Sequence, residues 1–144
     1  MVREPRLGCG AAILSEGRIL LVLRRKPPEA GCWGLPGGKV DWLEPVAEAV
    51  ARELREELGI AVRPERLLCV VDHIEPEAGE HWVAPVYRID AFAGEPGIRE
   101  PDKHAGCAWF ALDALPDALT VATRTAVRAL LQGDGGGDPG QRVG

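Results

Sequence analysis

The 144-residue chain is poor in aromatic residues, with four Trp, two Phe and one Tyr, and it contains a single Met. Its core must therefore be built mainly from aliphatic side chains, and 46% hydrophobic content over this length fits one compact domain. No run of about 18 uninterrupted apolar residues is present, which excludes an ordinary membrane-spanning helix. The opening Met1-Val-Arg-Glu-Pro segment has no apolar stretch of the signal-peptide kind, so a cytoplasmic protein without a membrane partner is expected. Cys9, Cys32, Cys69 and Cys107 lie far apart, with no Cys-x-x-Cys pair and no His at zinc-ligand spacing; they read as reduced thiols, without disulfides or structural zinc. A basic stripe able to follow a polynucleotide backbone is also missing from a chain of net charge -5, so long nucleic acid is a poor partner.

The charge that is present is unevenly placed. Residues 1–40 carry seven bases and three acids, whereas 41–57 carry six acids against Arg52 and Arg55. A small phosphorylated ligand, met by local cations and by metal ions held on carboxylates, fits this balance.

In chain order, Leu7 to Leu14 and Arg18 to Arg24 are apolar runs joined by Ser15-Glu16-Gly17, which predicts a hairpin. Gly31 to Gly38 is too rich in glycine and proline for a helix and predicts a shaped loop. From Glu44 to Leu58, the apolar residues Ala47, Val50, Ala51, Leu54 and Leu58 recur at helical spacing. Pro45 suits the first turn of this helix, Asp41 and Glu44 its positive end, and Gly59 its stop. Leu67 to Ile74 reads as a buried strand. His81 to Phe92 alternates, with Trp82, Ala84 and Val86 on one face and Val83, Tyr87 and Ile89 on the other, while Pro85 argues for an edge or a bulge. Ala108 to Ala111 is a candidate final strand, and Thr120 to Leu131 a closing helix capped by Thr120. The expected class is α/β (α+β), a mixed β-sheet between helices, with one domain over 1–132 and a glycine-rich disordered tail over 133–144.

The acidic helix is the expected seat of the chemistry. At roughly 100° per residue, Glu53, Glu56 and Glu57 share one side, and like charges so close repel unless they are protonated or bridged by a cation. Oxygen ligands without His or Cys favour Mg²⁺, or Mn²⁺ in its place, over zinc. The plainer alternative is a solvated helix face with Arg52 and Glu56 as an i,i+4 pair. Gly37-Gly38 just before the helix weighs against it, because such a pair allows close backbone approach, which a surface helix does not need.

Gly38, Glu44 and Arg52-Glu-Leu-Arg-Glu-Glu-Leu-Gly-Ile60 at their observed spacing resemble the Nudix box with every fixed position filled, and Trp33-Gly-Leu-Pro-Gly37 ahead of it resembles the same family. The resemblance implies a Nudix (MutT-like) α/β/α sandwich with a catalytic loop-helix-loop. It also implies a pyrophosphohydrolase, in which water assisted by carboxylates and Mg²⁺ attacks one phosphorus of a nucleoside diphosphate linked to another group. By residue, it implies Glu53 and Glu57 as principal metal ligands, Glu56 as a further ligand or base, Gly38 as a carbonyl ligand, and Arg52 and Glu44 in support.

Outside the box, Glu100-Pro-Asp-Lys103 followed by Trp109-Phe110 resembles some nucleotide-hydrolysing members, and implies that Glu100 enters the site from a loop; a plain surface turn is the alternative. Arg24 and Arg25 are candidates for a phosphate contact, and Trp33, Trp42 and Trp82 for stacking on a base, each weighed against a strand-end or core role. His73, His81 and His104 show no partners in sequence and are assigned no chemistry. The expected substrate is a nucleoside triphosphate cleaved to monophosphate and pyrophosphate. Pro76, sixteen residues after Ile60, keeps ADP-ribose or a nucleoside diphosphate sugar as the alternative, and a non-catalytic nucleotide-binding regulatory module is a third reading. A homodimer is neither required nor excluded by Pro85.

Overall fold

The computed structural model describes residues 3–136. Strand β1 (Arg6–Ser15) turns through Glu16 and Gly17, both at positive φ, into β2 (Arg18–Arg24), the twist that a two-residue hairpin turn requires. The stretch predicted as loop holds two short strands, β3 (Trp33–Gly34) on β2 and β4 (Gly37–Lys39) on β1. These are too short to leave a periodic signal. Helix α1 (Val46–Leu58) follows, then β5 (Arg66–Glu75), β6 (Glu80–Ile89), β7 (His104–Ala111) and α2 (Val121–Gly136).

The seven strands form one mixed sheet with the order β3-β2-β1-β6-β5, β4 also pairing β1 and β7 pairing β2. Only the β1–β6 pairing among these is parallel. Pro85 does not mark an edge: β6 is interior and β5 is the outer strand. The parallel ladder runs from Leu7–Val83 to Gly10–Val86 without a pair at Pro85, so the missing N–H falls in a gap of the ladder.

Alternation sorts the core into two layers. Cys9, Ala11 and Ile13 of β1 and Leu20 and Val22 of β2 face α1, packing on Val50, Leu54 and Leu58. Ala12, Ile19, Leu21, Val71 and Val86 face α2 and meet Ala126, Val127 and Leu130. Each fully buried aliphatic side chain contributes about 1.5–3 kcal/mol, enough in sum to hold α1 in place against the cost of a buried carboxylate described below. The faces expected for β6 are those observed, with Ala84 and Val86 toward α2 and Tyr87 and Ile89 toward α1.

Two helix ends differ from expectation. Pro45 has extended backbone and stands just outside α1. Helix α2 continues to Gly136, into the stretch expected as tail, and 137–144 lie outside the described residues. The Thr120 hydroxyl accepts the Thr123 N–H at 3.2 Å, while the Val121 N–H donates to Glu29 at 2.8 Å. Thr120→Ala is expected to lower stability by about 1 kcal/mol, read as a fall in melting temperature of a few degrees.

Candidate active site

Helix α1 carries its carboxylates on more than one face. Glu57 lies seven residues after Val50, about 20° from it around the helix, and so falls on the apolar stripe. It is 5% exposed. The expectation of three glutamates projecting together from one side therefore needs correction: Glu57 points into the protein, Glu53 is mostly covered, and Glu56 is half exposed.

The buried Glu57 carboxylate accepts the Gly37 N–H through Oε1 at 2.8 Å, and its Oε2 stands 3.5 Å from His104 Nε2. Burial pushes this carboxyl up to about 8, an effect the Gly37 N–H opposes and the Glu53 and Glu100 charges reinforce. Glu53 is also raised, by burial first; the Arg52 hydrogen bond opposes the rise and Glu56 adds to it. Gly38 lies under the Glu53 carboxyl group: a Cβ there would come within 2.5 Å of it. Gly38→Ala must displace Glu53, and a fall in turnover of at least about tenfold is expected with the fold retained, checked by steady-state rates beside a circular dichroism melt.

Arg52 organises the outer side. Its guanidinium donates to Glu44 at 2.7 and 2.9 Å, to Glu53 at 2.8 Å, to Glu56 at 3.2 Å and to the Lys39 carbonyl at 3.0 Å, locking α1 to β4. Glu44 also accepts the Asp41 N–H and is lowered to about 2, chiefly by the Arg52 hydrogen bond. The Arg52 guanidinium is raised in turn, with Glu44 the leading cause.

A loop from the far side of the chain closes over this end of the helix. The Arg99 N–H donates to the Glu57 carbonyl, and the Glu100 carbonyl accepts from both Lys103 and His104. Glu100 and Lys103 pair at 3.4 Å. Burial works against charge on Lys103, but Glu100, Glu53 and Glu57 outweigh it and leave the amine raised. Glu100, which the resemblance implies for the site, stands on this loop and its charge bears on Glu57. Lys103 and His104 stand there too, and His104 was passed over in sequence because its partner lies 47 positions away; the available signal was its place directly after the Glu-Pro-x-Lys stretch.

The other candidates are dispersed. Arg24 spends its guanidinium on the Pro28 and Lys26 carbonyls, and Arg25 contributes its backbone N–H to Lys103. Trp33 packs edge to face on Phe110 in the core layer under α2, so it is a packing residue. Trp42 stands 89% exposed at the tip of the Asp41–Glu44 turn. Trp82 lies against Gly8, whose neighbour across the strands is the Gly38 carbonyl; its Nε1 donates to Glu80 and Arg6 stands over its ring.

Among the described residues no three acidic, His or Cys side chains already converge on a single point, since Arg52 holds Glu53 and Glu56. The donor chemistry nonetheless fits a hard divalent cation: Glu53 and Glu57 are crowded, oxygen-only and raised, and the bare Cα of Gly38 leaves room for the Glu53 carboxylate.

Comparison with known proteins agrees with this architecture. The NUDIX domain model matches residues 4–130. A crystal structure of a MutT NUDIX hydrolase from Burkholderia pseudomallei superposes with a TM-score of 0.87 at 64% identity, covering 88% of this chain and 98% of that one. An ADP-ribose pyrophosphatase of Methanocaldococcus jannaschii is 33% identical over 113 residues, 78% of this chain and 66% of the relative. An oxidized purine nucleoside triphosphate hydrolase of Danio rerio is 35% identical over 107 residues, 72% of this chain and 65% of the relative. The matched stretch thus spans about two thirds of these curated relatives. With the box residues gathered at the junction of β4, α1 and the loop before β7, this chain belongs to the Nudix hydrolase family.

Proposed function

We propose that the chain is a Mg²⁺-dependent pyrophosphohydrolase that cleaves a nucleoside triphosphate, with water, to the monophosphate and pyrophosphate. The observation carrying this reading is the placement of the Glu57 and Glu53 carboxyl groups against Gly37 and Gly38 at the junction of β4 and α1, with Arg52 clamping Glu53. Glu53 and Glu57 would hold the cation, with Glu56 and the Gly38 carbonyl as further oxygen donors; Mn²⁺ is a substitute. The bound ion supplies Lewis acidity toward water and the phosphate oxygens. Arg52 keeps Glu53 and Glu44 in place, Lys103 offers a positive charge to the substrate phosphates, and Glu56 and Glu100 are the candidates for taking the proton from water. Glu56 is the more exposed of the two, and each is paired with one cation, Arg52 and Lys103 respectively. Trp82, beside Gly8, and the exposed Trp42 are the candidate indoles for stacking on the base.

ADP-ribose is the second substrate reading, favoured by the likeness to the Methanocaldococcus enzyme. The chain is assigned no membrane partner and no long nucleic acid: no helix among the described residues is long and apolar enough to cross a membrane, and the charge balance is acidic. A cytoplasmic setting and a single domain over 1–132 belong to the same reading.

Turnover of dGTP, 8-oxo-dGTP, dCTP and ADP-ribose with Mg²⁺, with products separated chromatographically, tests it. Monophosphate and pyrophosphate from a triphosphate are expected. AMP from ADP-ribose alone would replace the substrate, and tight nucleotide binding without any product would favour a regulatory module.

A further inference from the structure

Among the described residues, His104 Nδ1 is the one buried side-chain nitrogen or oxygen without a hydrogen-bond partner. The ring is 5% exposed, and an apolar side chain of similar size would fill the space at lower cost. A polar ring kept where half of its polarity is unused calls for a reason on its other side. That side faces Glu57: His104 Nε2 stands 3.5 Å from Oε2, while the Gly37 N–H holds Oε1.

We propose that His104 is a positioning residue for the cation site, its Nε2–H holding Glu57 Oε2 so that the carboxylate plane is fixed from both oxygens. One contact alone leaves a carboxylate free to turn about its last torsion, which is broad and shallow. A second contact, from Nε2 at 3.5 Å on the opposite oxygen, restricts that freedom and leaves the remaining lone pairs for a cation. The ring is itself fixed by the fold. Its backbone N–H donates to the Glu100 carbonyl, and His104 opens β7 where the β2–β7 register shifts between Leu23 and Arg24. Bonded by its backbone to the Glu100 carbonyl and facing Glu57 through its ring, His104 couples the loop carrying Glu100 to the helix carrying Glu53 and Glu57.

This inference rests on the cation site proposed above, and the test separates the two. Mn²⁺ binding without nucleotide is measured by electron paramagnetic resonance for the native chain, His104→Leu and His104→Gln, beside melting temperature and Mg²⁺-dependent kcat and KM. Native binding of Mn²⁺ is expected, with affinity lowered about 10- to 100-fold in His104→Leu and largely restored in His104→Gln, whose amide can donate to Oε2. The loss should appear in kcat and in the Mg²⁺ requirement, with the nucleotide KM little changed. No Mn²⁺ binding by the native chain would overturn the site reading and this inference with it. Native-like affinity in a folded His104→Leu would overturn the inference alone. Should His104→Leu fail to fold, His104→Gln and His104→Phe decide: the inference stands if the first binds Mn²⁺ near the native level and the second does not, and falls if the two bind alike.

Discussion

Glu57→Gln is expected to lose turnover and gain stability in the same protein. The amide oxygen can still accept the Gly37 N–H, so the helix and β4 stay joined, but the charge proposed to hold the cation is gone. The fall in kcat should be on the order of 10²–10³-fold, the scale of removing one group that offsets charge in a transition state. Stability moves the other way, because the native carboxyl is raised by burial to about 8. Between its unfolded value near 4.5 and about 8, the folded chain binds more protons than the unfolded one, so native stability declines as pH rises through that window. The whole decline is on the order of 5 kcal/mol at most, since each tenfold change in proton affinity is worth roughly 1.4 kcal/mol. Glu57→Gln abolishes this slope, and denaturant midpoints at about pH 5 and pH 8.5, either side of most of the window, check it. A variant that kept full Mg²⁺-dependent turnover would remove Glu57 from the site.

Cation binding should itself stabilise the native chain, and more so at high pH. A cation bound to the folded state alone adds about 2.7 kcal/mol at roughly a hundred times its dissociation constant. At about pH 8.5 that gain comes with little proton release, whereas at about pH 5 the ion must first displace the proton that burial keeps on Glu57. The shift in melting temperature on adding Mg²⁺ is expected to reach several degrees at the higher pH, and to shrink toward zero at the lower. Equal shifts at both values would show that Glu57 is not among the ligands.

Arg52 explains why these acids are tolerated before any cation arrives. Its guanidinium meets Glu44, Glu53 and Glu56 together, and a carboxylate left without it would face its neighbours' charge unscreened. Arg52→Lys keeps the charge but not the fork of donors, so it should lose most of this ordering although the substitution conserves sign.

The family, the helix and most of the box were legible in residue order alone. Val50, Leu54 and Leu58 set the period of α1, Gly59 ended it, and the spacing of Gly38, Glu44, Arg52, Glu53, Glu56 and Glu57 was readable because all of them belong to one short stretch whose geometry is local. The alternation of β6 was legible for the same reason. What surrounds that stretch was settled by packing in three dimensions. It placed β6 in the interior despite Pro85, because a parallel neighbour can leave one rung empty, and it turned Trp33 into a packing residue against Phe110. It also divided the three glutamates, sending Glu57 inward beside the Gly37 N–H and leaving Glu56 at the surface. It brought His104 to Glu57 as well, and such pairings between distant segments depend on packing, which residue spacing along the chain does not encode.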